Sequence, residues 1–113
     1  MKAKEKAKLA AEAALSKKAS CIVIMDMRAV SNITDYFVIA SAPSTRRVEA
    51  IAQEVEDVLR KHGRKALHSE GKHEALWALI DYGDVIVHVF HEKTREFYDL
   101  ERLWHDAPKE SFS

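Results

Sequence analysis

Two short runs, Ser20 to Asp26 (SCIVIMD) and Tyr36 to Ala40 (YFVIA), are apolar on both alternating faces. Strands of that kind need cover above and below, which restricts the fold to a layered α/β arrangement with both runs inside the sheet. A covering helix follows at once. Ala42-Pro43-Ser44 breaks the second run, and Ser44 or Thr45 stands where a side-chain oxygen caps a helix start. Beyond it Val48, Ile51, Ala52, Val55, Val58 and Leu59 recur at three- and four-residue steps and form one apolar stripe. Glu56 with Arg60 and Asp57 with Lys61 pair at i,i+4 on the wetter side, and Gly63 supplies the left-handed stop.

The flanking segments are less committed. From Lys4 to Lys18 the chain is Ala-, Lys- and Glu-rich, so a helix forms, but Leu9 and Leu15 are its only large apolar groups. A weakly docked helix, frayed at its start and with a solvated lysine face, is the expectation. After Gly63 come a short extended piece at Lys65 to His68, a turn at Gly71, and two strands, Ala75 to Asp81 and Asp84 to Phe90. Tyr82 and Gly83 leave hairpin spacing between those strands. Lys93 to Trp104 carries Phe97, Leu100, Leu103 and Trp104 at helical steps, which predicts short helical turns packing back on the sheet. The sum is αββαββα, a mixed sheet with helices on its faces. It divides into an N-terminal helix (1–19), a single domain (20–106) and a short tail (107–113).

With 113 residues there is room for one modest core. Eighteen Lys plus Arg balance eighteen Asp plus Glu. A domain that grips nucleic acid backbone usually carries a basic excess, so contact with nucleic acid is expected to be minor at most. Near-zero charge also gives little protection against self-association. The single Cys21 lies in an apolar run and reads as a small buried group of a protein kept in a reducing compartment. No stretch reaches membrane-spanning length and the N-terminus lacks a secretory apolar core, so a cytoplasmic location without a membrane partner is expected.

A two-residue turn would set Asp81 opposite Asp84, Leu79 opposite Ile86, Trp77 opposite His88 and Ala75 opposite Phe90. The other face would hold Leu76, Ala78, Ile80, Val85, Val87 and Val89, wholly aliphatic and asking for a helix. The first face mixes Trp, His and carboxylates, as protein-binding surfaces do. From spacing alone the two aspartates read equally well as turn solvation, and Trp77 as ordinary core.

Several motifs bear on those alternatives. Val30-Ser31-Asn32-Ile33-Thr34-Asp35-Tyr36-Phe37-Val38-Ile39, Ser44-Thr45-Arg46-Arg47-Val48, Glu70-Gly71 with Ala75-Leu76-Trp77, Asp81-Tyr82-Gly83-Asp84-Val85-Ile86-Val87-His88-Val89-Phe90, and Arg95 to Trp104 stand in order along the chain. Together they resemble the signature of the Iojap family of bacterial ribosomal silencing factors, over Ser20 to Trp104. The resemblance implies a nucleotidyltransferase-like fold without an enzymatic role or a cofactor. It implies a translation repressor that binds the large ribosomal subunit through its fourteenth protein, blocks association with the small subunit, and forms a homodimer when free. Carried over residue by residue, the ribosomal-protein contact set would be Trp77, Asp81, Tyr82, Gly83, Asp84 and His88, with Glu70, Tyr98 and Glu101 at its margin. The Lys-rich start and Pro108 to Ser113 match nothing specific.

Rival chemistries find little in the residues. A nucleotidyltransferase needs a Gly-Ser or Gly-Gly loop and spaced carboxylates for magnesium, but Gly63, Gly71 and Gly83 precede Arg64, Lys72 and Asp84. Asp99-Leu100-Glu101 has the carboxylate spacing without the loop and reads as a polar turn. His62, His68, His73, His88, His91 and His105 are scattered without Cys partners, so no metal site is expected. An RNA-contacting assembly factor is the third class, with Arg46, Arg47 and Lys72 as its candidate residues.

Overall fold

The computed structural model describes residues 1–112. Helix α1 (Ala3–Ser16) leads into β1 (Ser20–Asp26), β2 (Tyr36–Ala42), α2 (Thr45–Lys61), β3 (His68–Glu70), β4 (Trp77–Asp81) and β5 (Val85–His91). Two short helices, α3 (Glu92–Tyr98) and α4 (Leu100–Leu103), and a last strand, β6 (Lys109–Ser111), complete the chain. The six strands form one sheet in the order β3-β4-β5-β2-β1-β6. Among the described residues only β2 and β5 pair in parallel, so the sheet is mixed, and both doubly apolar runs lie inside it.

Alternation along the strands sorts the core into two unlike layers. Ile22, Ile24, Val38, Ala40, Val85, Val87 and Val89 face α1 and α2 in a continuous aliphatic core. On the other face Met25, Met27, Ile39 and Phe90 form a smaller cluster, against which Phe37, Trp77, Leu100 and Trp104 pack in part. The α2 stripe behaves as its periodicity predicts: Val48, Ile51, Ala52, Val55 and Leu59 are buried, and the Ser44 hydroxyl accepts from the Arg47 amide at 3.2 Å.

Four expectations are corrected. Helix α1 docks firmly, and it does so through Ala7, Ala10, Ala11, Ala13 and Ala14, each at most 5% exposed, while Leu15 is 43% exposed. Small side chains let the helix backbone lie close to α2 and the sheet, a contact that weighting by large apolar groups does not reveal. Lys6 from this helix is buried and its ammonium reaches the Asp84 carboxylate at 2.7 Å, so the lysine face is not wholly solvated. Cys21 is exposed, not buried: the β1/β2 register slips between Ser20 and Val23, and the extra residue at this bulge swings Cys21 outward at φ +49°.

The third correction concerns the hairpin. Three residues, Tyr82, Gly83 and Asp84, form the turn, with the Tyr82 amide donating to the Val85 carbonyl at 2.9 Å. Trp77 therefore pairs with Phe90, Leu79 with His88 and Asp81 with Ile86, and Asp81 does not face Asp84. The slip amounts to two positions, so each strand residue keeps its predicted face; a slip of one would have exchanged them. The fourth correction lies at the strand's entry, where Ala75 takes φ +56° and breaks the alternation. Ala75 is buried in the aliphatic core and Leu76, expected there, is 50% exposed.

Gly71 makes this entry possible. At φ +78° a Cβ on it would meet the Trp77 carbonyl oxygen at 2.1 Å, whereas a Cβ on Gly63, at φ +76°, meets nothing within 4 Å. Both positions strain an L-residue's backbone, but only one also collides with a strand. Gly71→Ala should lower unfolding free energy by about 2–3 kcal/mol and Gly63→Ala by about 1 kcal/mol. Urea titration of the two variants measures the difference, and equal losses would contradict it.

Candidate functional site

The second face of the sheet is only partly roofed. From the end of β5 the chain turns through α3 and α4 and crosses toward β1, bringing Leu100, Trp104 and Ala107 onto the Met25 cluster. Trp77 and Leu79 on β4 and Ile86 on β5 remain half-buried. At the C-terminal end of β5, Trp77 stacks on Phe90 at 4.9 Å between ring centroids and meets the Tyr98 ring at 4.7 Å. Tyr98 in turn lies edge-on to Phe97 at 5.1 Å. Tyr98 is 49% exposed and Phe97 80%, and Leu76 beside Trp77 adds another exposed apolar group. Glu70 and Glu74 rim an adjoining cleft of about 380 Å³ whose floor includes Gly71, Trp77 and Leu79.

The indole of Trp77 is held in place from below. Its Nε1–H donates to His88 Nδ1 at 3.1 Å, and the imidazole is wedged edge-on against Phe37 at 4.6 Å. An accepting Nδ1 requires the neutral tautomer protonated at Nε2. Burial disfavours the charged ring and pushes the His88 pKa down to about 4. His88 is 4% exposed, so it lies beneath the aromatic cluster and supports the indole from within the chain.

The sequence-predicted contact set separates into two places. Trp77, Tyr98 and Glu70 gather at one end of β4. Asp81 to Asp84 lie at the other, about 13 Å along the strand at ~3.3 Å per residue. Tyr82 points into the aliphatic core, is 6% exposed, and burial beside the Glu56 carboxylate pushes its phenol pKa up. Gly83 takes the turn's positive φ and its amide donates to the Asp81 carboxylate at 2.7 Å. Asp84 is held by Lys6. Glu101 is gripped by Arg95 through two bonds of 3.2 Å, and Arg95 also donates to the Ser41 hydroxyl at 3.0 Å. Asp99 is the left-handed joint between α3 and α4, at φ +46°. Asp81, Gly83 and Asp84 thus already have partners within the chain, and the Asp99-Leu100-Glu101 carboxylates serve a turn and an ion pair.

Sequence reading missed Phe97 and Leu76 as surface groups. The helical spacing places Phe97 on the sheet, yet two adjacent aromatics on a short helix cannot both pack there, and Tyr98 takes the inward place. Among the described residues no group of three or more His, Cys, Asp or Glu side chains is placed to hold a metal ion, and no helix is long and apolar enough to cross a membrane.

The structure is thus a mixed α/β sheet domain with an exposed aromatic cluster at one end, and the relatives of the chain say to which family it belongs. The family model described as "Ribosomal silencing factor during starvation" matches residues 1–113. The ribosomal silencing factor of Bacillus subtilis is 46% identical over 101 residues, covering 89% of this chain and 86% of that protein. The chloroplast protein Iojap of Zea mays is 34% identical over 97 residues, 86% of this chain and 42% of its own. A crystal structure of a Chromobacterium violaceum protein superimposes with a TM-score of 0.91 at 35% identity, over 93% of this chain and 88% of that one. The chain belongs to the ribosomal silencing factor family, to which Iojap is related.

The His88 arrangement has a pH signature. The unfolded imidazole takes up a proton below about pH 6.5 and the folded one only near pH 4, so stability is whole above pH 6.5 and falls as pH drops between those values. The loss is bounded at roughly 3 kcal/mol at 1.36 kcal/mol per unit. Melting curves from pH 7 to pH 4 should therefore decline more steeply for the wild type than for His88→Phe. Parallel declines would remove His88 from this role.

Proposed function

We propose that the protein binds the large ribosomal subunit through its fourteenth protein, on the surface where the small subunit joins, and so represses translation by obstruction. Family membership supports this reading. The observation that carries it is the group of large apolar side chains left in solvent beside Trp77: Leu76, Phe97 and Tyr98 are each about half exposed or more. Isolated surface apolar residues need no explanation, but a contiguous aromatic cluster rimmed by carboxylates has the composition of a protein-binding patch. Aromatic anchors at its centre would supply most of the affinity, while Glu70 and Glu74 at the rim would select a basic partner and speed encounter.

The hairpin tip takes a secondary part in this reading. Asp81 and Asp84 direct their charge to Gly83 and Lys6, and Tyr82 and His88 act from beneath the surface. We extend the proposal to a homodimer of the free protein, in keeping with its zero formal net charge and the same exposed apolar groups.

Phe97 provides the cleanest test because it is 80% exposed and contributes little to the core. Phe97→Ala should leave stability within about 0.5 kcal/mol of the wild type. It should lower co-sedimentation with isolated large subunits at least tenfold and restore joining of the two subunits in a sucrose gradient. Trp77→Ala should abolish binding too, though with some loss of stability because its ring packs on Phe90. Undiminished sedimentation of Phe97→Ala and Tyr98→Ala would overturn the assigned patch.

A further inference from the structure

The chain is neutral as a whole, but its charge is not evenly spread. Where α1 ends and α2 begins, Ser16, Lys17, Lys18, Ser44, Arg46 and Arg47 line an open cleft of about 350 Å³. All four cations are exposed, and among the described residues none of them makes an ion pair. Elsewhere Lys6, Arg28, Arg60, Lys72 and Arg95 each have a carboxylate partner. Four cations without a carboxylate partner are therefore brought together at one cleft, built from segments far apart in sequence.

The placement of the arginines is unfavourable for the chain alone. The first turn of a helix carries the positive end of its dipole and prefers acidic side chains. The first turn of α2 has no acidic residue and holds Arg46 and Arg47. Ser44 caps the Arg47 amide, and three residues after such a cap a Glu would complete a reciprocal capping box. The chain puts Arg47 there, forgoing that gain and adding repulsion. An anion seated between Lys17, Lys18 and the two arginines would offset the repulsion between these cations and the helix dipole.

Topology places this cleft beside the aromatic patch. β2 and β5 run parallel, and Ala42, just before Ser44, pairs with His91, whose amide bonds to the Leu76 carbonyl. Ser20, just after Lys18, donates to Glu92 at the start of α3 at 3.2 Å. The basic cleft and the Leu76, Trp77 and Tyr98 cluster therefore share one end of the sheet, on opposite faces. A ribosomal surface offers protein and RNA side by side, and a module gripping a protein with one face would meet RNA phosphates with the other.

We infer that Lys17, Lys18, Arg46 and Arg47 form a second contact surface that binds the phosphate backbone of RNA. The inference goes beyond the protein-docking reading and can fail independently of it. A fluorescein-labelled RNA hairpin, titrated with the full chain at 50 to 200 mM salt without any ribosomal protein, should bind with micromolar affinity that weakens as salt rises. Lys17→Gln/Lys18→Gln should make the log–log salt slope shallower by about 1.4 to 1.8, at roughly 0.7 to 0.9 for each phosphate no longer neutralised. Arg46→Glu/Arg47→Glu should weaken binding at least tenfold while the melting temperature holds or rises, because the helix dipole and cap are now satisfied. That pairing of abolished RNA binding with an undamaged fold is what a merely structural role would not give. Lys4→Glu/Lys8→Glu, on exposed lysines elsewhere on α1, should change affinity less than threefold. Absence of salt-dependent binding by the wild type, or an equal loss in the Lys4/Lys8 control, would overturn the inference. Displacement of the RNA by micromolar ATP would also overturn it, by assigning the cleft to free nucleotides.

Discussion

The parallel pairing of β2 with β5 is the constraint from which the rest of the molecule follows. Both strands are buried on two sides, so each must present an apolar residue at nearly every position, and each must be reached by a crossover. Helix α2 supplies cover on one face, and the segment after β5 has to cover the other. Because the strands run in the same direction, what leaves each of them emerges at the same end of the sheet. The start of α2 and the start of α3 are neighbours for that reason, and so are the charges and aromatic rings they carry.

The two faces are finished to different degrees, and this difference leaves one of them partly open. The aliphatic face is closed by α1 and α2, with alanines allowing close approach and Lys6 reaching Asp84 to satisfy a charge near the hairpin. The other face is crossed only by short helices, α3 and α4, neither of which has a fully buried residue. Trp77 is left between core and solvent, fixed by His88 beneath and Tyr98 alongside. A rigid, half-sunk indole loses little freedom on meeting a partner, which suits an anchor in a protein interface.

Much of the fold could be read from residue pattern because hydrophobic periodicity is set by burial, and burial is what the layers impose. The α2 stripe from Val48 to Leu59 and the apolar runs of β1 and β2 are where the pattern places them. Face membership in β4 and β5 was legible too, since even a two-residue slip preserves parity. What could not be read depends on local backbone geometry or on steric fit. The bulge that exposes Cys21, the positive φ of Ala75 that turns Leu76 outward, and the three-residue turn each insert or reverse one residue without leaving a compositional mark. The alanine face of α1 was hidden because small residues contribute little hydrophobic signal, although shape alone can make them close packers. Of the predicted contact residues, Trp77, Tyr98 and Glu70 come together at one end of β4; strand parity and the family motifs both pointed to Trp77, whereas Tyr98 and Glu70 followed from the motifs alone. Tyr82 and His88 fall beneath the surface, where a motif records a residue's importance without saying whether it touches a partner or holds another side chain in place.

Hydrogen exchange of the protein alone and bound to isolated large subunits tests the central claim most directly, since it reports which backbone is covered without altering any side chain. Slowed exchange should be concentrated in the segments around Leu76 to Leu79 and Arg95 to Leu103, with smaller changes across the Tyr82 to Asp84 turn. Unchanged exchange in those two segments, with protection elsewhere on the molecule, would contradict the assignment of the aromatic end as the docking surface.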